Sequence, residues 1–156
     1  MRKIYLASSW RNVFYPATLH ALYKEHDLYD FRNPAKGNTG FTWDQLDPNW
    51  KEWIPHQYAE ILKTSAVANR GFWLDMDALN WCDTCVLLLP SGRSAHLEAG
   101  YAVGAGKEVY VYIPSADDFQ PDLMYLMTHG LFTDLGELQV ALQNPLGITQ
   151  TMGGKS

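Results

Sequence analysis

Hydrophobic positions along this chain switch repeatedly between alternation and helical spacing. Residues 3–8 alternate and are rich in Ile, Tyr and Leu, which predicts a strand; residues 16–25 place Leu19, Leu22 and Tyr23 at helical spacing. A second short strand is expected over 28–31. After Pro55 the spacing of Tyr58, Ile61 and Leu62 predicts a helix, and a further helix over 66–80 presents Phe72, Met76 and Leu79 on one side. Residues 84–89, apolar from Cys85 onward, read as a third strand. The helix predicted over 94–105 closes with Gly104 and Gly106, and a fourth strand follows over 108–113. Leu131 and Phe132 predict a short fifth strand, before a helix whose Asp134-x-x-Glu137 has the form of a capping box.

Strands alternating with helices imply crossover connections and a mostly parallel sheet covered on both faces. The expected fold is therefore α/β: one three-layer αβα domain over residues 1–143, with five mostly parallel strands in a flavodoxin-like or Rossmann-like order. Residues 144–156, ending in Met-Gly-Gly-Lys-Ser, are expected to be a flexible tail. The stretch 32–54 breaks the rhythm, being longer than connections in compact domains usually are and carrying Trp43, Trp50 and Trp53. It is read either as a lid or oligomer contact, or as indoles covering one edge of the core.

Composition narrows the function. A chain of 156 residues with net charge -5 is unsuited to neutralising phosphates along DNA or RNA, so a nucleic-acid polymer is excluded as partner. No stretch approaches membrane-spanning length and the amino terminus shows no apolar signal core, which leads us to expect a cytoplasmic protein with no membrane partner. Cys82 and Cys85 form a Cys-x-x-Cys, but the pair falls where a helix ends and a strand begins, the reverse of the polarity that activates redox thiols. The five histidines show no paired spacing that would complete a zinc site, so no metal and no cofactor is expected.

Candidate chemistry concentrates after the third strand. Ser91-Gly92-Arg93-Ser94 would lie at the carboxyl edge of the sheet, where open α/β folds bind ligands. Gly92 permits close backbone approach, Ser94 is expected to cap the helix, and Arg93 adds a fork of donors, so the loop reads as an anion cradle or as an ordinary strand-to-helix turn. Glu98, expected one turn into that helix, is placed where the helix dipole favours a carboxylate. A carboxylate of this kind can attack an anomeric carbon and form a covalent sugar intermediate, or can simply complement the dipole. Asp75 and Asp77 on the preceding helix are candidates to assist the leaving group.

Several residues taken together resemble the nucleoside 2-deoxyribosyltransferase family and the related deoxynucleoside monophosphate N-glycosidases. They are the opening strand Lys3-Ile4-Tyr5-Leu6-Ala7, Asp75 eight positions before Asp83 and an apolar strand, and Glu98 within Glu98-Ala99-Gly100-Tyr101-Ala102 ahead of Gly106-Lys107. The resemblance implies that Glu98 is the nucleophile, that Tyr5 orients its carboxylate, and that Asp75 contacts the nucleobase and helps protonate it. It also implies a five-stranded parallel sheet with helices on both sides, a nucleoside or nucleotide as partner, and a homo-oligomer whose neighbours complete the pocket. Where transferases of the family carry a further base-contacting aspartate, this chain has the segment from Ser91 to His96, whose anion-friendly start is closer to the monophosphate hydrolases. Ser8, Ser9 and Arg11 would supply a second anion contact or merely turn the chain into its first helix.

The expected activity is thus cleavage of an N-glycosidic bond in a nucleoside or nucleoside 5′-monophosphate, by hydrolysis or by transfer. The alternatives are a non-catalytic nucleotide sensor and an oligomeric scaffold built on the tryptophan-rich segment.

Overall fold

In the computed structural model, which describes residues 1–34, 40–148 and 150–155, five strands form one sheet in the order β2-β1-β3-β4-β5, every neighbouring pair parallel. They are β1 (Lys3–Ala7), β2 (Asp27–Tyr29), β3 (Thr84–Leu88), β4 (Glu108–Tyr112) and β5 (Gly130–Phe132). All five positions of β3 and of β4 are buried, as strands covered on both faces require. The helices are α1 (Tyr15–Tyr23), α2 (Pro55–Thr64), α3 (Ala66–Trp81), α4 (Arg93–Gly104) and α5 (Leu135–Gln143).

The chain divides into two compact units: Met1–Asp30 with Leu79–Ser156, which holds the whole sheet, and Phe31–Ala78. Within the sheet unit α4 packs across β1, β3 and β4, α1 against β2, and α5 against β5. Register settles which side chains share a face. Tyr29, Tyr5, Cys85 and Val109 are successive partners across β2, β1, β3 and β4, so they project together. Leu87, two residues beyond Cys85, lines a small cavity with Ala99, Gly100 and Val103 of α4, which identifies this as the face that α4 covers.

The opposite face carries Arg2, 3% exposed. Its guanidinium donates to Glu108 at 2.6 Å, to Thr84 at 2.9 Å and to the carbonyls of Leu142 and Asn144, tying the sheet's amino edge to the end of α5. Asp134 accepts the Glu137 N–H at 3.0 Å and so caps α5 as its spacing predicts. The segment after α5 makes main-chain hydrogen bonds back to the sheet unit. The Gly147 N–H donates to Glu108 at 2.7 Å, and the Met152 and Gly153 N–H groups donate to the carbonyls of Thr128 and Leu126.

In the second unit the tryptophan-rich stretch forms a cluster of aromatic rings. Residues Trp43–Gln45 and Trp50–Glu52 form 3-10 turns, the rings of Trp43 and Trp53 meet edge to face at 5.9 Å, and Trp53 donates to Asp47 at 2.7 Å. Trp50 instead lies under the Lys51 ammonium, 5.6 Å from the ring centre. Residues 35–39 of this stretch lie outside the described residues. Among the described residues no helix is long and apolar enough to cross a membrane.

Candidate active site

Glu98 is the sixth residue of α4, on its second turn. The helix begins at Arg93 with Gly92 in the capping position, in extended backbone and with no side-chain cap. Ser94 therefore lies inside the first turn and does not cap it, and Glu98 stands beyond the turn where the helix dipole acts most strongly. What distinguishes Glu98 is its flank. Ala95, Ala99 and Ala102 are the buried face of α4, and Glu98, half-buried, adjoins them. Its charge reaches Cys85: burial chiefly pushes that thiol well above its ordinary range, and Cys82 and then Glu98 add to the effect. Cys85 is the direct register partner of Tyr5.

Tyr5 is fully buried, and its ring stacks on Tyr29 at 5.2 Å with 23° between the planes. The sheet thus fixes the ring rigidly from the side of β2. Asp75 belongs to the other unit, on α3, where it is half-buried while Asp77 is exposed. Asp83, by contrast, serves the fold: its carboxylate accepts the Lys3 N–H at 3.1 Å and the Thr84 hydroxyl at 2.8 Å.

The cradle residues gather on another flank of α4. Ser91, Gly92 and Arg93 line an open cavity of ≈ 740 Å³ with His96, Phe119, Asp122 and Tyr125 among its other walls. His96 donates from Nδ1 to the Gly92 carbonyl at 2.8 Å, and its Nε2 lies 2.9 Å from the Tyr125 hydroxyl. At 3.6 residues per turn His96 and Glu98 leave the helix roughly 200° apart. Neither Glu98 nor Ser94 lines this cavity, so the cradle and the carboxylate do not share it.

The β1–α1 loop gives a different result for each predicted contact. The Ser8 hydroxyl donates to the Leu88 carbonyl at 2.9 Å and accepts from the Asn12 amide at 2.9 Å, so it is engaged in joining β1 to β3. Ser9 accepts the Arg11 N–H at 3.3 Å within a local turn, and Arg11 is exposed. Asn12, which sequence reasoning missed, is 3% exposed and bridges both loops; its only signal in the sequence is a polar side chain next to a helix start.

The Cys-x-x-Cys carries no activated thiol. Burial raises the Cys82 pKa above its ordinary value, Lys107 opposing and Asp83 adding, and both cysteines are buried and unbridged. Among the described residues no cluster of three or more His, Cys, Asp or Glu side chains could hold a metal ion.

No family model and no curated protein sequence matches the chain. Solved structures do. A 2-deoxyribosyltransferase from the psychrotolerant bacterium Bacillus psychrosaccharolyticus is similar over 92% of this chain and 92% of its own, at 17% identity and a TM-score of 0.55. The Clostridium botulinum CMP N-glycosidase BcmB aligns over 89% of this chain and 95% of its own, at 15% identity and a TM-score of 0.46. With its parallel 2-1-3-4-5 sheet, the chain has the flavodoxin-like fold of that 2-deoxyribosyltransferase.

Proposed function

We propose that the protein cleaves the N-glycosidic bond of a nucleoside or nucleoside 5′-monophosphate through a covalent bond between sugar and Glu98. The observation that carries this reading is the setting of Glu98: half-buried on the sheet-adjoining flank of α4, within electrostatic reach of Cys85, the register partner of the immobilised Tyr5. A fold shared with an enzyme named for deoxyribosyl transfer supports it.

In the proposed reaction a Glu98 carboxylate oxygen donates an electron pair to C1′, and the bond from C1′ to the base nitrogen breaks with its pair passing to the base. Asp75 supplies the proton the departing base takes up, and Tyr5 orients the carboxylate. A water, or the nitrogen of a second base, then attacks C1′ and gives up its proton to the Asp75 carboxylate, while the bond from C1′ to the Glu98 oxygen breaks with its pair and releases Glu98 as a carboxylate. Transfer requires that the second base be held and water excluded, which a neighbouring subunit in a homo-oligomer would help achieve. The test is to incubate a deoxynucleoside with and without an acceptor base, using wild type and Glu98→Gln. Base release by wild type alone supports the reading, and equal release in both conditions assigns hydrolysis. Release by Glu98→Gln at the wild-type rate refutes it.

One observation favours a non-catalytic sensor: the cavity lined by Arg93 lies on a flank of α4 that Glu98 does not share. A sensor would bind a nucleotide there as tightly after Glu98→Ala as before and would release no base.

A further inference from the structure

In a sheet of order 2-1-3-4-5 the chain leaves β1 in one direction for β2 and returns on its other side as β3, so a crevice opens between the carboxyl ends of β1 and β3, where open α/β folds take their ligands. In this protein that crevice is bridged by one side chain. The Asn12 amide nitrogen donates to the Ser8 hydroxyl at 2.9 Å, to the Pro90 carbonyl at 3.1 Å and to the Leu88 carbonyl at 3.3 Å, while its oxygen accepts the Phe14 N–H at 2.8 Å. The Ser8 hydroxyl closes the ring by donating to the same Leu88 carbonyl. The Asn12 backbone takes part as well, its N–H donating to the Ser9 carbonyl and its carbonyl accepting the Tyr15 N–H at the start of α1.

We propose that Asn12 is a positioning residue, which sets the separation of the β1–α1 and β3–α4 loops and through it the place at which a sugar meets Glu98. This rests on the reading of Glu98 given above. The side chain is suited to the task because an amide presents donors and an acceptor in one rigid plane, and here the donors meet carbonyls that can only accept. Pro90 immediately precedes Ser91, and Leu88 ends β3, so a shift at Asn12 is passed directly to the segment that enters α4. Aspartate has the same shape but, ionised, offers only acceptors to the Leu88 and Pro90 carbonyls. Protonated, it regains one donor.

The experiment compares Asn12→Ala and Asn12→Asp with wild type by hydrogen exchange and by base-release kinetics across pH. Positioning predicts that exchange accelerates together at residues 8–14 and 89–93 in both variants while β4 and α5 stay protected. It also predicts that kcat falls by roughly tenfold to a hundredfold, as misplacement of reacting groups does, with melting temperature accounting for none of the loss. The activity of Asn12→Asp relative to wild type should rise as pH is lowered, which Asn12→Ala should not show. Faster exchange confined to residues 8–14, or folded variants with wild-type kcat, would overturn the proposal. If wild type itself releases no base the catalytic reading fails, and the exchange data alone decide whether Asn12 couples the two loops.

Discussion

Tyr5 on β1 and Cys85 on β3 are direct register partners, so their side chains leave the same face of the sheet, the face that α4 covers. From α4 the charge of Glu98 acts on Cys85, adding to the effect of burial on that thiol. The Cα positions of Tyr5 and Cys85 are set by the parallel ladder of two central strands, which positions groups more firmly than loops do.

The role proposed for Tyr5 separates chemistry from stability. Tyr5→Phe keeps the ring that stacks on Tyr29 and removes the hydroxyl. A hydrogen bond to a charged group contributes ~1.5–3 kcal/mol, so kcat should fall roughly ten- to a hundredfold with little change in melting temperature. Steady-state kinetics beside a thermal melt check both; unchanged kcat would remove Tyr5 from the mechanism.

Stability should depend on acid through Glu108. Burial alone would raise this carboxyl, but hydrogen bonds from Tyr110, the Gly147 N–H and Arg2, together with the charge of Arg2, hold it below its ordinary value of 4.5. The folded state therefore favours the ionised form. Its contribution is fully present above pH 4.5 and is lost as pH falls through the lower folded value. Urea melts of wild type at several pH values should show this acid limb, and Glu108→Gln should flatten it.

Arg2→Met tests the same network from the other side. It leaves Glu108, 6% exposed, without its cation, and breaking a buried pair in this way costs about 3–5 kcal/mol. A chemical denaturation midpoint within error of wild type would contradict the network's place in the fold.

The cysteines should be inert while the protein is folded. Burial chiefly raises both thiols above their ordinary value of 9.0, so a thiol reagent at pH 8 should label neither until denaturant is added. Rapid labelling of the native protein would mean that the sheet opens at β3.

Much of the fold was legible because its central strands are apolar or aromatic at every position after the first and its helices repeat at helical spacing. The parts that were not legible have physical causes. β2 and β5 are three residues long, too short for periodicity to fix their ends. Leu123–Met127 is a 3-10 helix of four apolar residues around Tyr125, a pattern that matches neither helical nor strand spacing. Ser94 has the chemistry of a cap, yet the extended backbone of Gly92 starts α4 earlier, because a cap is decided by main-chain angles as well as residue type. The candidacy of Glu98, Tyr5 and Asp75 rests on residue order and a family resemblance, whereas the opposed flanks of His96 and Glu98 depend on where α4 begins. Asn12 was invisible since its partners at Leu88 and Pro90 are main-chain carbonyls 76 and 78 residues away.

The central claim is a bond between C1′ and Glu98, and peptide mapping by mass spectrometry after a rapid acid quench tests it most directly. With a deoxynucleoside turning over, the account predicts one deoxyribosyl group on the peptide containing Glu98, absent from Glu98→Gln. Base release with no sugar on that peptide at any quench time, together with full activity in Glu98→Gln, would contradict it.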